Sequence, residues 1–198
     1  MRNKLKSYIS ILFCFFLFFK SLSANETFVF NVTEIEILED GNQINGFKGG
    51  TATAEDGSTI TAENFFYNKL TNILETTGNV KYLDKTKNIV ITTDKAIYLK
   101  NEEKIFTTGN SKAFNDDNTI TASNLEYDKI KNIFETTGNV KYVDKTKNVV
   151  ITTDKAIYLK NEEKIFTIGN SKALNDDNTI AASNLEYDKI KNIFETTG

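Results

Sequence analysis

The residues from Asn79 to Gly138 and from Asn139 to Gly198 are one 60-residue unit written twice. The copies differ only at Leu83/Val143, Ile89/Val149, Thr108/Ile168, Phe114/Leu174 and Thr121/Ala181, each change conservative or small. A more diverged copy of the second half precedes them at Gly49–Gly78, sharing Thr59-Ile60-Thr61-Ala62, Asn64, Tyr67 and Glu75-Thr76-Thr77-Gly78. A chain written this way stacks units that bury their apolar faces on their neighbours. The unit is itself double. Glycines fall at 49, 78, 109, 138, 169 and 198, with spacings alternating between 29 and 31. The structural period is therefore about 30 residues.

Each half-unit reads as short strands. Gly78–Tyr82 alternates Val80 and Tyr82 against Lys81, and Ile89–Thr93 is β-branched throughout, which suits a pleated backbone. Lys95–Leu99 and Lys104–Thr108 continue the pattern, separated by polar turns at 84–88 and 101–103. Turns every eight to ten residues between such runs predict an all-β sandwich, jelly roll or solenoid. Asp128–Asn132 has helix-like composition but is too short and flanked by β-branched residues. The Gly-Asn pairs read as strand ends where both residues can take positive φ at low cost.

Composition narrows function. The chain has no His, Trp or Pro, and its single cysteine is Cys14. Without histidine the commonest general base and metal ligand is missing. Arg2, Lys4, Lys6 and Lys20 lie in an N-terminal stretch that has no acid; the rest carries 20 basic and 27 acidic residues, or −7. That balance is opposite to the basic patch of nucleic-acid binders, so no nucleic-acid partner is expected.

Met1–Lys6 is basic, Tyr8–Phe19 is apolar and Ser21–Ala24 is small and polar, the order of a secretory signal peptide. Residues 1–24 are assigned to it, with cleavage after Ser23 or Ala24, and residues 25–198 to the repeat domain. The apolar run of 12 residues is short of the roughly 20 that span a bilayer. No membrane span is expected in the mature chain. Phe13 before Cys14 is not the small residue a lipidated cysteine needs, so Cys14 leaves with the leader and the mature chain has no thiol.

Candidate chemistry is sparse. Asn115-Asp116-Asp117-Asn118 and Asn175-Asp176-Asp177-Asn178 lack the alternating carboxylates and the glycine of a calcium loop, and read as hairpin turns. Asn25-Glu26-Thr27 and Asn31-Val32-Thr33 match the glycosylation triplet, which is frequent by chance. Glu102-Glu103-Lys104 reads as a solvated charged turn, and Asp94 and Asp154 as carboxylates satisfying backbone amides at strand junctions. No catalytic residues, metal ligands or cofactor are assigned, and the chain is read as a non-enzyme.

What remains is surface. Alternation puts Val80, Tyr82, Ile91, Ala96, Tyr98, Leu125 and Tyr127 on the inward face, together with Val140, Tyr142, Ile151, Ala156, Tyr158, Leu185 and Tyr187 one unit on. Ile97 and Leu99 are apolar on the opposite alternation. Such strands fit a narrow sandwich with a covered second face, or a lined groove for lipid.

The stretch Asp40–Gly50, then Thr59-Ile60-Thr61-Ala62-Glu63, Tyr67 and Gly78-Asn79-Val80-Lys81-Tyr82, resembles the OstA-like family. That family holds the lipopolysaccharide-transport proteins LptA and LptC and the N-terminal domain of LptD. Its pattern is an extended Ile-x-Ala-Asp-x-x-x-Tyr run followed downstream by Gly-Asn-Val. Here it stands as Ile91–Tyr98 with Gly109-Asn110, and as Ile120–Tyr127 with Gly138-Asn139-Val140. Ser123 and Ser183 take the usual Asp position, and Ser111 and Ser171 replace Val after Gly-Asn.

The resemblance covers about Phe28–Gly198 and implies an open, twisted β jelly roll, V-shaped in section, that stacks end to end by β-strand pairing with other Lpt modules. It implies a periplasmic place, an association with the outer membrane, and a groove that shields the lipid A acyl chains of lipopolysaccharide. The groove candidates are then the fourteen inward residues named above. The sequence stops at Gly198, where a further copy would continue, so a fragment of a longer assembly protein is expected, an open edge strand being the alternative. The rival reading of the whole is a non-catalytic β-repeat surface adhesin.

Overall fold

The computed structural model describes residues 27–197 apart from Asp116 and Asp177. The leader, Cys14, residues 25 and 26 of the first glycosylation triplet, and Gly198 lie outside the described residues.

One antiparallel sheet of 13 strands runs through the chain in sequence order. Its strands are β1 (Phe28–Leu38), β2 (Gln43–Ala54), β3 (Thr59–Ala62), β4 (Asn64–Asn68), β5 (Ile73–Asp84), β6 (Ile89–Leu99) and β7 (Lys104–Asn115). β8 (Asn118–Asp128), β9 (Ile133–Asp144), β10 (Val149–Leu159), β11 (Lys164–Asn175), β12 (Asn178–Asp188) and β13 (Ile193–Thr197) complete it. β3 and β4 are two halves of one broken strand: both pair with β2 and both with β5. β1 and β13 form the ends of the sheet.

The strands are longer than the sequence predicts. Ile89–Thr93 and Lys95–Leu99 are one 11-residue strand, and Lys104–Thr108 runs on through Gly109-Asn110 to Asn115. Gly-Asn therefore marks the middle of a strand. Both of its residues have positive φ, +80° and 46° at Gly109 and Asn110, and the pairing register jumps there, from Thr92↔Lys112 to Lys95↔Thr108. This is a β-bulge, which bends a strand without ending it. The residue types that permit a turn also permit such a bulge, so the sequence alone reads either.

Every long strand from β5 to β12 bends at the same level, so the sheet folds on itself along a line. On one side lie Ile73–Thr77, Lys95–Leu99, Lys104–Thr108 and their successors, a first leaf that also contains β4. On the other lie Val80–Asp84, Ile89–Thr93, Ser111–Asn115 and their successors, a second leaf that contains β3. The hairpin turns form two rims opposite the fold line.

Hydroxyl groups close the fold line. Thr93 Oγ1 donates to the carbonyl of Gly109 at 2.9 Å, and Thr107 Oγ1 donates to Ser111 Oγ at 2.7 Å. Thr153, Thr167 and Ser171 repeat the arrangement. This gives the serine after Gly-Asn its role: a buried valine at 111 would offer Thr107 no oxygen. Asp94 takes its hydrogen bond from the side-chain amide of Asn110 at 2.8 Å rather than from the backbone, as Asp154 does from Asn170.

Candidate functional site: the interior between the leaves

The structure brings all fourteen groove candidates together between the leaves. Val80, Tyr82, Ile91, Val140, Tyr142 and Ile151 come from the second leaf. Ala96, Tyr98, Leu125, Tyr127, Ala156, Tyr158, Leu185 and Tyr187 come from the first. None is more than 5 % exposed, and all belong to one continuous core. Ile97 and Leu99 lie half-buried on the outer face. Alternation missed other members of the same core, including Leu74, Ile105 and Phe134. Their signal was present, since each alternates with outward polar or half-buried neighbours.

Aromatic rings carry the contact between leaves. Tyr82 lies 6.5 Å from both Tyr98 and Tyr127, and Tyr142 lies 5.9 Å from Tyr158. Along the first leaf Tyr127 stacks on Phe134 at 4.5 Å. Phe28 caps one end, edge-on to Tyr67 and Tyr98. The interior is filled by these side chains.

Tyrosine suits this place because its ring is apolar and its tip polar. Tyr67, Tyr98, Tyr127 and Tyr187 each send the hydroxyl to the residue five positions on, Asn72, Glu103, Asn132 and Asn192, at 2.5–3.2 Å. All four acceptors have positive φ in the first-leaf rim turns. Each tyrosine thus fills the core and pins the turn that follows it. Burial pushes the phenols of Tyr82, Tyr98, Tyr142 and Tyr158 well above the ordinary tyrosine range. Second to burial is Asp84 beside Tyr82, Glu103 accepting from Tyr98, Tyr158 facing Tyr142, and Glu163 beside Tyr158.

The rims meet through lysines. Lys129, in the turn between β8 and β9, is 4 % exposed and reaches across to Asp56 in the second-leaf turn between β2 and β3, at 2.6 Å. Its amine also pairs with Glu103 at 2.9 Å, donates to the Tyr98 hydroxyl at 2.8 Å and lies over the rings of Tyr82 and Tyr98. Glu103, which the sequence places in a solvated turn, is part of this half-buried network with Lys100. No sequence signal set Lys129 apart, because its contact with Asp56 spans 73 residues.

At the β1 end, Ile35 and Ile37 lie opposite Gly46 and Ile44 and so share the interior face, yet they are 53 % and 60 % exposed. At the other end Phe194 is half-buried against Tyr187 at 4.6 Å. The interior is thus apolar from end to end and less covered at both ends.

The solved structures contain a similar arrangement. LptH of Pseudomonas aeruginosa, described as the LptA-homologous periplasmic component of the lipopolysaccharide transport device, superimposes with a TM-score of 0.53 at 16 % identity. The match covers 57 % of this chain and 84 % of LptH. The fold is of the LptA type. It is the twisted, all-antiparallel β jelly roll that the resemblance implies, and one of the three all-β architectures that the repeat pattern leaves open. No family model matches the sequence, and no curated protein sequence does. Among the described residues no helix is long and apolar enough to cross a membrane, and no three potential metal-ligating carboxylates or thiols gather together.

Proposed function

We propose that this chain is a periplasmic lipopolysaccharide-transport module that shelters lipid A acyl chains between its leaves. The observation that carries the reading is the continuous interior, in which the same side chains recur at each unit and run through every strand of an LptA-type sheet. With strands about 4.8 Å apart, twelve successive strand positions extend it over roughly 50 Å.

An acyl chain costs about 0.8 kcal/mol for each CH₂ left in water, so a carrier has to shield it throughout. Near-identical units bind each stretch of chain about equally, which lets cargo move along without stalling. Side chains and their ring contacts fill the interior. Cargo displaces ring contacts and parts the leaves. The partly uncovered ends, with the outer edges of β1 and β13, suit end-to-end pairing with other modules of the same fold, since open strand edges recruit strands. The chain supplies shielding without catalysis, and a bridge toward the outer membrane follows from such pairing.

Mass spectrometry of lipids extracted from the protein, purified from the periplasm of a lipopolysaccharide-producing host, tests the reading. Lipid A species in the purified fraction are expected. A protein free of lipid that also fails to bind added lipopolysaccharide would favour the adhesin.

A further inference from the structure

We propose that the rims form a latch, with Lys129 as its bolt, and that lipid reaches the interior sideways through this mouth when the latch opens. The inference rests on the carrier reading and adds the route and the residues that control it. The ties across the mouth recur in register. Lys129 bridges to Asp56, and Lys160 donates to the Lys87 carbonyl at 3.2 Å, each pair separated by 73 residues. Lys87 in turn donates to the Lys129 carbonyl, and Lys189 lies 3.8 Å from Asp144 while holding Glu163 at 3.0 Å. Lysines therefore span the mouth at successive hairpins, while the fold line behind them is closed by covalent chain and buried hydroxyls.

The mouth is the weaker boundary. Parting it breaks side-chain ties, whereas opening the fold line breaks strands. Lys129 is suited to be the bolt because its partners divide by leaf. Glu103 and Tyr98 stay with it on the first leaf, and Asp56 alone of its ion-pair partners belongs to the second. When the rims separate, the ammonium keeps a carboxylate and is not stranded, so the opening avoids the large penalty of an unpaired buried charge.

Two perturbations test this with fluorescently labelled lipopolysaccharide as the probe. Asp56→Asn cuts the charge tie yet keeps an oxygen for the Ser58 amide, which Asp56 caps at 2.9 Å, so folding is preserved. Uptake is expected to quicken about threefold to fivefold, the factor carried by an ion pair with one half-exposed member. Lys129→Met serves as a second variant with the same expected direction. In the opposite sense, Asp56→Cys with Lys129→Cys, in a chain whose Cys14 is replaced by serine, is bridged with a reversible bis-methanethiosulfonate. The bridge is expected to slow uptake at least about tenfold, and reductant to restore it. Uptake by the bridged protein at the unbridged rate would overturn the latch and leave the carrier reading standing, with the ends as the route. Failure of the unaltered protein to take up the probe at all would overturn the carrier reading and the latch with it.

Discussion

Raising the pH attacks the interior through its tyrosines. Tyr82, Tyr98, Tyr142 and Tyr158 are at most 2 % exposed, and burial holds their phenols neutral far above the ordinary range. In the unfolded chain they ionise near pH 10. Below that value both states hold the proton and pH has no leverage. Above it the unfolded chain releases protons that the folded chain retains, so stability falls as pH rises. Each such phenol removes about 1.4 kcal/mol per pH unit, and the four together about 5 kcal/mol. A domain with the usual total of about 5–15 kcal/mol is then exhausted one to three units above pH 10. The assay follows the ultraviolet absorbance of tyrosinate beside far-ultraviolet circular dichroism through an alkaline titration. Tyrosinate is expected to appear only as the β signal collapses, in one steep transition. A gradual titration centred near pH 10 with the β signal intact would show water reaching the phenols, and would refute a dry interior sealed at the rims.

Other outcomes follow from the same geometry. Gly109→Ala places a Cβ 2.5 Å from Asp94 Oδ2 at φ +80°, and a left-handed alanine costs about 1–2 kcal/mol before that collision is counted. In urea melts its cost is expected to shrink in an Asp94→Ala background, which removes the colliding carboxylate. Leu74→Ala is expected to lose about 2–5 kcal/mol because Leu74 is fully buried. Ile130→Ala, at an exposed rim turn, is expected to change stability by less than about 0.5 kcal/mol. Burial alone would raise the Asp56 carboxyl, but hydrogen bonds from Lys129 and Ser58 outweigh it and hold the group well below the usual carboxylate range. Its stabilising contribution is present above the unfolded value near 3.9 and is lost only as pH falls through the lower folded value, so uptake is expected to be flat from about pH 5 to 8.

The sequence carries the fold in its repeats. Alternation at Val80/Tyr82 and Ala96/Tyr98 assigns faces correctly because each inward side chain is apolar or aromatic and its neighbours are polar or only half-buried. The fold line was not legible in the same way. Gly109-Asn110 looks like a strand end because positive φ is needed equally in a turn and in a bulge. Only the pairing of Thr92 with Lys112 and of Lys95 with Thr108 decides between them. The latch was less legible still. Asp128–Asn132 shows only a helix-like composition too short for a helix, and whether one of its lysines is buried depends on which distant turn the coiled sheet brings opposite. That offset is a property of twist accumulated over several strands, and no local pattern encodes it.

Photo-crosslinking to lipopolysaccharide from single positions on the inner and outer faces of β5, β6 and β8 tests the central claim most directly. A photoreactive residue at Tyr98 or Tyr127, inside, is expected to yield lipid adducts, and one at Lys81 or Glu126, on the outer faces, none. Adducts from Lys81 and Glu126 with none from Tyr98 and Tyr127 would contradict a lipid path between the leaves.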